Sequence, residues 1–464
     1  MALEWIPWTV APSKAVGVSV VLLCVMHLWA LWAFGSFAPA AKIVQGSEHV
    51  PLPSLAPHTV VGWGACNKHD RDQRFWGVVG RALTLNETRR ADGFVWLGDA
   101  IYADDLGASG WRTSSPTSMA AKYTAFRQSL DYAQFRNQLL AEPSGVWDDH
   151  DMGADGASRS FELKSLTQQL YLDFLAVPKT SPRRRRDGVY HLHTVPFHNT
   201  STALTTRFDF AVCFVLLDAR FHRDDPKVPG ADILGEEQWQ WLWSVLVDPT
   251  DEVGEPRVAR QRDLFSRCAF TAVANGIQVL SDEKPTENWG VYPGARERLL
   301  RTLALAGAQR FVLLSGDVHY ADYLTVPHMA FGTDGIVEIT SSGLTHSLAD
   351  VGVTPEVFDL LNANPRRAGR FIGRSFGSIA VTDTTAVVSV HEVTTGAVVL
   401  QHAVNIDTVG NTLLQRDHRF GIDVVAAPSK RLFHAMDRLP FTVSHRVRLR
   451  IIDLLASGWC ALFH

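Results

Sequence analysis

Cysteine is scarce in this 464-residue chain. The five present (Cys24, Cys66, Cys213, Cys268 and Cys460) show neither zinc-type spacing nor the density of a disulfide framework. At most a bridge or two can form among them. No internal repeat is evident, which excludes solenoids and propellers. Positive charge is not in excess: 44 Lys and Arg face 48 Asp and Glu, a net charge of −4. That balance argues against a surface made for nucleic acid. Hydrophobic content of 46% and charged content of 20% are ordinary for a globular protein, and the length suits one large domain or two smaller ones.

The most informative absence is local. Between Ala15 and Ala41 no residue carries a formal charge, a run longer than the ~20 apolar residues that span a bilayer. Behind an N-terminal tail (1–14), residues 15–41 are therefore predicted to form a single transmembrane signal-anchor. A cleaved signal peptide is the alternative, because 37-FAPAAK-42 offers small residues to a signal peptidase. Lys14 and Lys42 flank the run too evenly to orient it. The sequons at Asn86 and Asn199 favour a lumenal or extracellular main domain, as a glycoprotein, or a secreted one.

A Pro-rich linker (42–58) leads to the main domain, expected over 59–427. Its apolar runs 59-TVVGWG-64, 94-FVWLG-98, 210-FAVCFVLLD-218 and 310-RFVLLSGD-317 read as buried strands. Segments 164–177, 235–247 and 295–307 carry apolar residues at helical spacing, the last closing on Gly307. Strands alternating with helices imply an α/β fold. Three later runs, within 377–383, 385–393 and 397–404, read as antiparallel strands. The segment 428–464 is basic and then apolar, and suits either a docked helix or a membrane surface.

In α/β sheets, ligands bind where strands end. Here those ends carry ligand-type residues: Cys66 in 64-GACNK-68, Asp99 and Tyr102 in 98-GDAIYADD-105, Asp149 and His150 in 145-GVWDDHDMGADG-156, and Asp317 and His319 in 317-DVHY-320. Singly, each suits a turn or cap. Jointly, they suit a metal centre, with carboxylates for hard cations and a phenolate with a thiolate for ferric iron. Two cations can clamp a phosphate and activate water. His150, flanked by acids, is placed to protonate a leaving group.

With 180-TSPRRRRDGVY-190, 216-LLDARFHRD-224, 234-LGEEQWQWL-242 and 338-EITSSGLTHS-347, these motifs resemble the alkaline phosphatase D (PhoD-like) family of metallophosphoesterases, over roughly Thr59 to Val404. The resemblance implies a four-layer α/β/β/α metallophosphatase (calcineurin-like) sandwich that hydrolyses phosphodiesters, phosphomonoesters or both. It implies Fe3+ with Ca2+, with Zn2+, Mn2+ and Mg2+ as alternatives. Cys66, Asp99, Tyr102 and His319 would hold the iron. Asp99, Asp317 and an oxygen from the 148–155 loop, Asp149 or Asp155, would hold the second ion. Relatives often carry Asn where this chain has Asp155. Arg183, Arg184, Arg220 and Arg223 are candidates to grip the phosphate of a small-molecule or lipid ester, and no obligate protein partner is implied. The reading from another class is a catalytically inactive, membrane-anchored binding module of the same fold.

Overall fold

The computed structural model describes residues 59–84, 90–107, 110–197, 203–246, 263–281, 287–327, 331 and 335–406. The expected anchor, the linker, both sequons, Cys24, Cys460 and the segment 428–464 lie outside them. Among the described residues no helix is long and apolar enough to cross a membrane.

Among the described residues the strands are, in order, β1 (Thr59–Gly64), β2 (Gly93–Leu97), β3 (Asp105–Gly107), β4 (Gly110–Arg112), β5 (Ser144–Val146), β6 (His191–Val195), β7 (Phe210–Leu216), β8 (Cys268–Ala274), β9 (Phe311–Ser315), β10 (Ala321–Val326), β11 (Ile336–Thr340), β12 (Arg367–Phe371), β13 (Ser375–Val381), β14 (Thr385–Glu392) and β15 (Val398–Asn405). Apart from the β3–β4 ribbon they form two mixed sheets, ordered β15-β14-β13-β1-β2-β5 and β12-β10-β11-β9-β8-β7-β6. Within the first, β1, β2 and β5 run parallel. In the second, β7, β8, β9 and β11 do. These strands are the short, continuous apolar runs, as strands covered on both faces must be. The expected strands and helices appear with ends shifted by a few residues, and β13–β15 form the antiparallel meander.

Side-chain alternation sorts the faces. Phe94 and Trp96 of β2 pack with Trp76, Phe126 and Phe135 of the helices Trp76–Leu83, Pro116–Gln128 and Leu130–Asn137. Each fully buried side chain of Phe size contributes about 1.5–3 kcal/mol by transfer from water. Val212, Phe214 and Leu216 of β7 share one core with the first sheet, whereas Cys213, Val215 and Leu217 pack with Leu242 and Leu303 of the helices Glu236–Leu246 and Pro293–Leu305. Helices thus pack on each of the two mixed sheets. Cys213 and Cys268 form a disulfide, and Cys66 is free and buried.

Candidate metal centre

The parallel strands of both sheets discharge their C-terminal ends toward one another. The loops interlock through the backbone: Asn67 N–H donates to Asp99 O (2.7 Å), Gly316 N–H to Gly276 O (2.9 Å), and Leu344 N–H to Ala65 O (3.2 Å). Four site residues take positive φ: Cys66 (58°), Asp99 (50°), Asp317 (67°) and His319 (59°). Each costs on the order of 1–3 kcal/mol for a residue with a Cβ, and such strain persists only where the surroundings over-determine it. It turns four ligand-type side chains inward at three strand exits, those of β1, β2 and β9.

The quoted Trp-Asp-Asp-His-Asp run divides its charges among four tasks. Asp148 pairs with the Arg220 guanidinium, which also reaches Glu287 (2.7 Å). Asp149 lies in the cluster described below. His150 Nδ1 sits 2.7 Å from Asp104 Oδ1, and its ring lies on the Tyr102 ring, centroids 3.9 Å apart. Asp151 accepts from the backbone N–H groups of Ala100 and Ile101 and from the Tyr123 hydroxyl, so it locks the loop after β2 to the loop after β5. Two glycines admit this loop. A Cβ on Gly98 or Gly276 would stand 2.4 or 2.6 Å from side-chain atoms of Asp148.

Asp99, Asp149 and His150 each offer a ligand atom, all within 4.8 Å of one another, and all three residues are buried. Cys66 Sγ lies 3.5 Å from Asp99 Oδ2 and accepts from Ser342 Oγ at 3.1 Å. Tyr102 Oη is 3.2 Å from His319 Nε2. Burial pushes the Cys66 thiol, the Asp99 carboxyl and the Tyr102 phenol well above their ordinary values, and neighbouring acids push the same way. Asp317 is one of the carboxylates pressing on Cys66 and Tyr102. Asp99 Oδ1 and Asp148 Oδ2 are buried without a hydrogen-bond partner among the described residues. An orphaned, buried carboxylate oxygen within a cluster of carboxylates, an imidazole and a nearby thiol is a donor set that fits a cation.

Other expected residues lie elsewhere or do other work. Asp155 is half-buried and its N–H donates to Asp104 Oδ2. Burial and then the nearby Asp149 push its carboxyl up to about 7. Arg220, expected to grip phosphate, is fully buried between carboxylates, and its side chain pairs with Asp148 rather than with Asp218. Arg223 donates to Glu287 and to Gly156 O. Arg183 donates to Val189 O, and Arg184 to Pro178 O, Val177 O and Gln169 while pairing with Asp173. The Arg184 guanidinium ties its loop to the helix Lys164–Phe174 through Gln169 and Asp173 and to the turn after that helix, whereas Arg183 bonds within its own loop. Sequence reasoning missed Asp104, Asp151, Ser342 and His346. The last two follow the exit of β11, a strand end of the same kind as the others, and that was the available signal.

The PhoD-like phosphatase family model matches residues 61–391. Alkaline phosphatase D of Bacillus subtilis is 28% identical over 151 residues, covering 28% of this chain and 24% of that protein. The chain thus matches about a quarter of that curated relative's length. The solved structure of PhoD superposes with a TM-score of 0.53 at 16% identity, over 82% of this chain and 77% of that one. A purple acid phosphatase from yellow lupin (Lupinus luteus) gives 0.48 at 11% identity, over 76% and 55%. The family model spans every strand exit that carries a ligand-type side chain, from Cys66 to His346, and the chain belongs to the PhoD-like phosphatase family.

Proposed function

We propose that this chain hydrolyses phosphate esters, diesters or monoesters, at a multinuclear metal centre within a four-layer metallophosphatase sandwich. The observation that carries the reading is the orphaned, buried Asp99 oxygen among Asp149, His150, Cys66 and Tyr102. Cys66, Asp99, Tyr102 and His319 would hold one ion, and Asp99, Asp149, Asp317 and Asp155 the other. A thiolate and a phenolate favour Fe3+ at the first site, and an all-carboxylate set favours Ca2+ at the second, ahead of Zn2+, Mn2+ or Mg2+. Bound there, such cations activate water and neutralise charge on the phosphoryl group.

The chain's own groups do the rest. Burial pulls the His150 imidazolium down, but Asp149 and the hydrogen bond to Asp104 push it up, to about 10. Asp149 and Asp104 thus both favour the protonated ring. Asp104 fixes its Nδ1–H, which leaves the Nε2 proton for the leaving oxygen. Arg220 offsets the charge of Asp148 and Asp149 without leaving the core.

The Cys213–Cys268 disulfide supports an oxidising compartment, hence a lumenal, extracellular or secreted domain. An N-terminal anchor over 15–41 would bring lipid phosphate esters within reach. The test is metal analysis of the purified protein beside hydrolysis of chromogenic phosphodiesters and monoesters. Asp99→Asn should lower activity at least about a hundredfold, beyond what outer-sphere changes cost. Unchanged activity in that variant refutes the site.

A further inference from the structure

The loop leaving β11 brings a second imidazole to the centre. His346 Nε2 is 3.0 Å from Tyr102 Oη and 3.1 Å from His319 Nε2, while Tyr102 Oη and His319 Nε2 are 3.2 Å apart. Three buried heteroatoms thus close a nearly equilateral triangle. Any one side is a good hydrogen-bond length, but three together are not a hydrogen-bond pattern. Each imidazole Nε2 has a single site, a lone pair or an N–H, directed outward in the ring plane. It can face one neighbour in line, so the three sides cannot all be linear hydrogen bonds. A common occupant explains the closure. Donors on bonds of about 2.1 Å that meet at right angles stand about 3.0 Å apart.

Three further features point the same way. His346 is 7% exposed and its Nδ1 lies 3.2 Å from Thr345 Oγ1, so Nε2 is the nitrogen left to face the centre. The loop is pinned to the Cys66 exit by Lys68 N–H donating to Thr345 Oγ1 at 2.7 Å. Within the same loop, Ser342 Oγ accepts from His319 N–H (2.9 Å) and donates to Cys66 Sγ (3.1 Å), so one segment orients a thiol and two imidazoles. Charge completes the case. A thiolate, a carboxylate and a phenolate already match a trivalent cation, so further donors should be neutral, as imidazoles are.

We propose that His346 Nε2 is a direct ligand of the metal held by Cys66, Asp99, Tyr102 and His319, giving that ion two imidazoles. This rests on the metal-centre reading above. It is tested by X-ray absorption at the metal edge of the purified full-length protein, where outer-shell scattering counts imidazoles. The wild type should show two and His346→Gln one, with metal affinity reduced at least about tenfold. Free imidazole added to His346→Ala should restore the second. His150→Gln should leave the count at two, which keeps the test decisive if the His346 variants fold poorly. An equal count in wild type and His346→Gln, or a drop to one in His150→Gln, overturns the proposal. A wild type without stoichiometric transition metal refutes the metal-centre reading itself, a distinguishable failure.

Discussion

The two walls of the centre are chemically unlike. The first sheet delivers Cys66, Asp99, Tyr102, Asp149 and His150, a set dominated by acids. From the second come Asp317, His319, His346 and, at the exit of β7, Arg220. Alone, the first wall would bury acids that repel one another; burial first, and then the neighbouring acids, push Cys66, Asp99 and Tyr102 toward their neutral forms. Alone, the second would hold the buried Arg220 guanidinium with Glu287 as its counter-charge and without Asp148. The Arg220–Asp148 pair crosses from one sheet to the other, so packing and chemistry depend on the same contacts.

The harshest way to break that balance is Arg220→Met. It removes the cation and leaves Asp148 buried, 1% exposed, without its partner. Breaking one side of a buried pair costs about 3–5 kcal/mol. Denaturant unfolding should show a loss of that size, and Asp148→Asn added to Arg220→Met should recover part of it. A loss below about 1 kcal/mol would mean that the walls do not lean on each other.

The walls also differ in how legible they were. The acidic wall is written in compact motifs at strand ends, and period and composition suffice to find it. Its inner division of labour is not, because nothing in 148-DDHD-151 says which Asp meets Arg220, which faces the cluster and which caps Ala100 and Ile101. Such assignments depend on which face each residue turns after a four-residue helix start. The second wall is harder still. Arg220 looked like a surface phosphate grip because an Arg is rarely fully buried; only the approach of Asp148 and Glu287 makes burial tolerable. His346 lay in a Ser/Thr/Gly loop with no periodicity, and its value arises from a contact 244 residues away, with Tyr102.

Gly276→Ala sharpens the same comparison from the backbone side. The new Cβ would meet the Asp148 carboxylate at 2.6–2.9 Å, forcing the acidic loop away from β8. Overpacking of this kind costs about 1–3 kcal/mol. Metal content should fall along with stability, since Asp148 and Asp149 move together. Gly294→Ala is the control. Nothing lies within 4 Å of that Cβ, and neither stability nor metal content should fall.

The smallest expected effect separates Arg184 from Arg220. Arg184 also has a nearly buried side chain, 6% exposed, but its acceptors are Pro178 O, Val177 O, Gln169 and Asp173, none of them in the centre. Arg184→Ala strands those carbonyls and should cost about 1–2 kcal/mol of stability. Its KM for a chromogenic diester should equal that of the wild type. Arg184→Lys should recover little stability, because a point charge cannot reproduce a planar fork that serves several acceptors at once. A several-fold rise in KM at unchanged stability would return Arg184 to the phosphate, and the cationic side of the site would then extend beyond the second sheet.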